Sequence, residues 1–169
     1  MPAGSSLSPL DPERLVEVLA DHEVDYVLIG ALAARLYGFP RLTADADITP
    51  AKTNDNLDRL AEALRELEAR IYTEAVPEGL PFDCSRQALE GADLWNLATA
   101  AGRLDVAFLP SGTQGYEDLV RTAVTFEVFD RQVQVASLAD IIRSKEAADR
   151  PQDRQDVILL REIQRLREV

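Results

Sequence analysis

Arg41-Leu-Thr-Ala-Asp-Ala-Asp-Ile-Thr-Pro50 is the segment on which the whole chain can be interpreted. If 45–49 is a strand, residues two apart share a face, so Asp45 and Asp47 point the same way. Their backbones stand about 7 Å apart, with the carboxylate tips free to converge. Converging carboxylates repel unless a cation lies between them, and Mg²⁺ is the usual cation for hard oxygen ligands. A two-ion site wants a third carboxylate. Asp105 supplies one from Arg103-Leu-Asp-Val-Ala-Phe-Leu109, an apolar run in which an unpaired charge is costly. Acids are depleted from strands, so three in such settings argue for a shared metal site.

Outward from this segment the elements alternate. Asp11-Pro-Glu-Arg14 is a helix start with an N-cap and Pro at N1, predicting a helix over 12–21 with Leu15, Val16, Val18 and Leu19 as its apolar stripe. Val24–Ile29 reads as a strand ended by Gly30, and 31–37 as a helix closing at Gly38 and Pro40. After Pro50, Thr53 or Asn54 caps a helix to about residue 70. Residues 74–93 read as irregular, broken by Pro77, Gly79 and Pro81. Leu94–Ala98 and Arg103–Leu109 form a hairpin around Ala101-Gly102, and Val124–Val128 with Val133–Ala136 a second one around Asp130-Arg131. A helix lies between them over 115–123. Ser137 caps a helix through Ala148, and Pro151 starts one running nearly to Val169. This order predicts an α+β (mixed α/β) class with a mixed sheet flanked by helices.

With 169 residues the chain is expected to be one domain, with a floppy Ser/Gly/Pro-rich terminus over 1–9. A single cysteine, Cys84, allows no internal disulfide and suits the cytoplasm as an inert thiol. No membrane span is expected. The net charge of −12 is concentrated in residues 1–100, which carry −10. That speaks against a basic nucleic-acid-binding stripe, and DNA is not an expected partner. Any RNA would be held by a few Arg and Lys near the site.

Further candidates surround the acids. Gly30 and Ala31 open a helix just past a strand, where free N–H groups suit phosphate; the alternative is a plain corner. Lys145, one of only two lysines with Lys52, suits a phosphate contact or a surface ion pair. Arg41 and Thr43 are placed to face the same pocket, with Arg150 and Arg154 adding charge. Asp153 and Asp156, i,i+3 on the last helix, read either as site residues or as solvated acids. His22 reads as a surface residue. One His and one Cys leave zinc chemistry without support, a Ser-His-Asp site has no sequence support either, and there is no GxxxxGK(S/T) for a P-loop.

On Gly30, Asp45, Asp47 and Asp105, the chain resembles the nucleotidyltransferases of the polymerase-β fold: a strand ending in Gly, a short helix, Asp-x-Asp on the next strand and a later third Asp. Within them it looks like the AbiEii-like and MenT-type toxins of toxin–antitoxin pairs, through 29–48, Trp95–Asp105, Ser137–Lys145 and Arg150–Asp156. The family usually has Gly-Gly or Gly-Ser where Gly30-Ala31 stands, and often a Lys where Gln152 stands. The resemblance implies a single nucleotidyltransferase domain over 1–169, with 137–169 as its C-terminal helical part. It implies transfer of a nucleoside monophosphate from an NTP to an acceptor hydroxyl. Asp45, Asp47, Asp105 and Lys145 would be catalytic, the three acids would hold Mg²⁺, and Gly30, Ala31, Arg41, Thr43, Asp153 and Asp156 would bind nucleotide. In the toxin branch the acceptor is the tRNA 3′ end and an antitoxin protein restrains the enzyme. The alternatives are a small hydroxylated acceptor, as in antibiotic nucleotidyltransferases, and a catalytically silent binding module.

Overall fold

A computed structural model describes residues 7–168. Residues 1–6 of the expected floppy terminus lie outside them. Pro9 and Leu10 already pack on the sheet: a Cβ placed on Gly102 would fall 2.6 Å from the Leu10 Cα.

The elements run α1 (Pro12–Asp21), β1 (Tyr26–Ile29), α2 (Gly30–Leu36), β2 (Asp45–Pro50), α3 (Asn54–Glu66), β3 (Arg70–Ile71), α4 (Arg86–Leu89), β4 (Leu94–Thr99), β5 (Gly102–Ala107), α5 (Tyr116–Thr122), β6 (Val124–Val128), β7 (Arg131–Val135), α6 (Leu138–Ala148) and α7 (Pro151–Arg167). The caps are those read from sequence. Asp11 accepts from Arg14 N–H, Thr53 from Asn56 N–H and Ser137 from Asp140 N–H.

Several boundaries differ. The third helix stops at Glu66, because Glu68 takes a left-handed conformation and the chain turns into the short edge strand β3. The irregular 74–93 stretch contains the single turn α4, capped by Ser85. Both hairpin turns fall one residue earlier than predicted. Thr99 pairs with Gly102 across Ala100-Ala101, where the positive φ falls on Gly102, and Val128 pairs with Arg131 across Phe129-Asp130. Phe129 and Asp130 are both at positive φ, the pattern a tight two-residue hairpin demands, without Gly at the apex.

The strands form one seven-stranded mixed sheet in the order β3-β4-β5-β2-β1-β7-β6. β2 is antiparallel to β1 and parallel to β5, and β1 is parallel to β7. Alternation divides β2 and β5 between two faces. Ala46, Ile48, Leu104 and Val106 are at most 2% exposed and join the core with the leucines of α1 and α3. Asp45, Asp47, Arg103 and Asp105 occupy the other face. Arg14 and His22 of α1's surroundings pair with Glu66 of α3, so His22 is a helix-to-helix contact. Cys84 is a buried free thiol, pushed up by burial. Among the described residues no helix is long and apolar enough to cross a membrane.

Candidate active site

Strand register builds the acidic cluster. Asp47 lies opposite Asp105, and Asp45 opposite Arg103, on the parallel β2–β5 pair. One carboxylate oxygen from each of Asp45, Asp47 and Asp105 falls within 4.8 Å of the others. Thr43 turns to Asp45, donating to its Oδ1 (3.0 Å) and accepting from its backbone N–H (3.3 Å). Gly30 sits against Asp47. Its φ is +71°, and a Cβ there would lie 2.4 Å from Asp47 Oδ2, so the residue that opens α2 is glycine by steric need.

The crowding has an electrostatic consequence. Burial first, then the Asp45 and Asp105 charges, push the Asp47 carboxyl up to about 8, while the Lys145 ammonium pulls it the other way. Asp105 is also raised, by burial and by Asp45, with Arg103 opposing. Asp105 Oδ1 is buried and has no hydrogen-bond partner. Three convergent carboxylate oxygens, on residues one of which also carries an orphaned buried acceptor, form a donor set that fits a hard divalent cation.

The opposite wall is cationic and held from behind. Asp153 and Asp156 of α7 are 2% and 4% exposed, so they are not the solvated acids of one sequence reading. Asp153 accepts from Arg150 Nε (2.7 Å) and lies 3.5 Å from Lys145 Nζ; Asp156 accepts from Lys145 Nζ (3.1 Å) and from Arg41. Burial alone would raise the Asp153 carboxyl, yet the Arg150 bonds and Lys145 hold it below its ordinary value. Lys145 is thereby anchored on two buried carboxylates, and it lines the same cleft as Asp47. Lys145→Met leaves each acid with a single arginine and is expected to lower stability by about 1–3 kcal/mol in chemical denaturation. A variant as stable as wild type would mean that Arg41 and Arg150 suffice.

Between the walls lies a cleft of about 550 Å³. Gly30, Asp47, Asp105, Lys145 and Asp153 line it; Asp45, Ala31, Arg41, Thr43 and Asp156 do not. Arg41, predicted to face this pocket with Thr43, instead borders a separate groove with Phe39 and Leu159. It is drawn there by Asp156, and Gln152, with its amide oxygen turned to it, accepts from the same guanidinium. Arg150 lines the cleft, whereas Arg154 pairs with Asp149 on the surface.

Sequence reading passed over Arg103, Tyr72 and Asn96. Asn96 pairs across from Asp105 and lines the cleft. Arg103 lies 3.8 Å from both Asp45 Oδ2 and Asp105 Oδ1, over the Tyr72 ring. The signal for Arg103 was present, since it precedes Asp105 by two residues on one strand. The signal for Tyr72 was not.

No protein-family model matches the chain, and no curated protein matches it in sequence. Solved structures do share its architecture, and they define it as the nucleotidyltransferase fold. The lincosamide antibiotic adenylyltransferase LnuA, in its lincomycin-bound crystal structure, is similar with a TM-score of 0.59 at 15% identity, over 92% of this chain and 99% of that one. An antigenic nucleotidyltransferase-like protein from Paracoccidioides brasiliensis is similar with a TM-score of 0.50 at 19% identity, over 90% of this chain and 78% of that one.

Proposed function

We propose that the chain is a Mg²⁺-dependent nucleotidyltransferase that moves a nucleoside monophosphate from an NTP to an acceptor hydroxyl. The observation that carries this reading is the meeting of Asp45, Asp47 and Asp105 within 4.8 Å, with Asp47 and Asp105 lining the cleft. The acceptor oxygen bonds to the α-phosphorus. The bond from that phosphorus to its bridging oxygen breaks, pyrophosphate departs with the electron pair, and the hydroxyl proton leaves toward the Asp105 carboxylate. Mg²⁺ held by Asp45, Asp47 and Asp105 would neutralise the triphosphate oxygens and lower the acceptor hydroxyl's pKa.

The chain's own groups do the rest. Gly30 and Ala31 would offer backbone N–H groups to phosphate oxygens. Lys145, steadied by Asp153 and Asp156, would meet the departing pyrophosphate, with Arg150 beside it. Arg41 and Thr43 would act from behind: Thr43 orients Asp45, and Arg41 fastens the segment before β2 to Asp156.

The resemblance to the toxin branch makes the tRNA 3′ end the proposed acceptor and an antitoxin protein the proposed partner. A second reading, a small hydroxylated acceptor, is favoured by the likeness to LnuA, which spans nearly all of that antibiotic-modifying chain. It is also favoured by the net charge of −12, which repels a polyanion. Purified protein incubated with each labelled NTP, against tRNA in one arm and lincosamides or aminoglycosides in the other, separates the two. Asp45→Asn is expected to cut label transfer by about 10³-fold or more in whichever arm is active. Wild-type transfer by Asp45→Asn would end the proposal.

A further inference from the structure

Arg103 stands on the acidic cluster's own face of the sheet, paired in register with Asp45, and its geometry is unusual. Its Nη1 stands 3.8 Å from Asp45 Oδ2 and its Nη2 3.8 Å from Asp105 Oδ1. Both distances are close enough for charge attraction and too long for a hydrogen bond. A guanidinium free to move would close that gap, because bidentate contact with a carboxylate is its strongest interaction. It is held back instead. The guanidinium carbon rests 3.9 Å from the Tyr72 ring centroid, and Nε is buried without a partner. Tyr72 is itself fixed, following β3 and donating its backbone N–H to Asn96 O (2.8 Å). Stacking on Tyr72 thus competes with hydrogen bonding to the acids, and the orphaned Asp105 Oδ1 marks the contact that is not made.

We infer that Arg103 is a positioning residue, a built-in counter-cation that Tyr72 holds one step short of the carboxylates. In that place it offsets part of their mutual repulsion while leaving their oxygens free for a divalent cation. The inference rests on the metal reading above and adds a control on affinity: the arginine weakens cation binding by its charge and, if released from Tyr72, would weaken it further by occupying Asp105.

Isothermal titration calorimetry with Mn²⁺ alone, on the full chain without nucleotide, tests this. Arg103→Gln removes a like charge near the bound ion and is expected to tighten binding about three- to tenfold. Tyr72→Leu frees the guanidinium to close on Asp105 and is expected to weaken binding at least threefold. Tyr72→Phe keeps the ring face and is expected to bind as wild type does. Thermal melts accompany each variant. A purely architectural arginine would give the opposite sign, with Arg103→Gln binding Mn²⁺ more weakly as the cluster loosens. That result, or a Tyr72→Leu affinity equal to wild type, or a Tyr72→Phe loss matching Tyr72→Leu, overturns the inference while leaving the metal site standing. Wild-type protein that takes up no Mn²⁺ removes the metal reading and this inference together.

Discussion

Asp47→Asn is expected to abolish nucleotidyl transfer and, in metal-free buffer at pH 9, to raise the melting temperature by roughly 3–10 °C. Loss of activity with gain of stability follows from where the carboxyl sits. Asp45 and Asp105 face it from its own and the neighbouring strand, and Lys145 from α6 and Arg150 from the start of α7 only partly compensate. Its ordinary value of 3.8 is raised to about 8 in the fold. A carboxyl raised in this way binds more protons folded than unfolded. Stability therefore falls as pH climbs between those two values and is lowest above the upper one. Asparagine carries no such slope, so the advantage of the variant should be small near pH 4, partial at pH 5.5 and full at pH 9. Mg²⁺ should raise the melting temperature of wild type most at high pH and leave Asp47→Asn unmoved. A variant that melts below wild type at pH 9, or that responds to Mg²⁺ as wild type does, would show that the carboxylates do not strain one another.

Gly30→Ala tests the same contact from the other side. The new methyl group must enter a backbone with φ +71° and lie 2.4 Å from Asp47 Oδ2 and 2.8 Å from its Cγ. The left-handed backbone costs about 1 kcal/mol, and forced overpacking about 1–3 kcal/mol more. The expected result is a melting temperature lower by roughly 5–15 °C and loss of transfer, because Asp47 must move away from Asp45 and Asp105. In an Asp47→Ala background the two nearest atoms are gone, and only a 3.0 Å approach to the Cβ remains. There the penalty of Gly30→Ala should shrink by about 1–2 kcal/mol. Additive penalties would mean that glycine is needed for its backbone alone.

Much of the site could be read before folding was considered. Asp45, Asp47 and Asp105 announce themselves because acids two apart in a strand, or embedded in an apolar run, are expensive without a purpose. The helix caps Asp11, Thr53 and Ser137 are local hydrogen bonds, and local hydrogen bonds leave local patterns. Arg41 shows where that logic stops. Its charge suggested the cleft, but the stronger pull is Asp156, 115 residues further along the chain, whose buried carboxylate requires a partner. Lys145 likewise owes its aim to two acids whose burial no periodicity revealed.

From residue order alone came the three acids, the alternation that puts each on one strand face, and the succession of helices and strands, because each depends on neighbours within a few positions. Pairing of β2 with β5 in parallel, which sets Asp47 beside Asp105, the stacking of Arg103 on Tyr72, and the burial of Asp153 and Asp156 beneath Lys145 came only from three-dimensional packing. These contacts join segments far apart in the chain, and what selects them is the competition of whole surfaces for burial and of charges for partners.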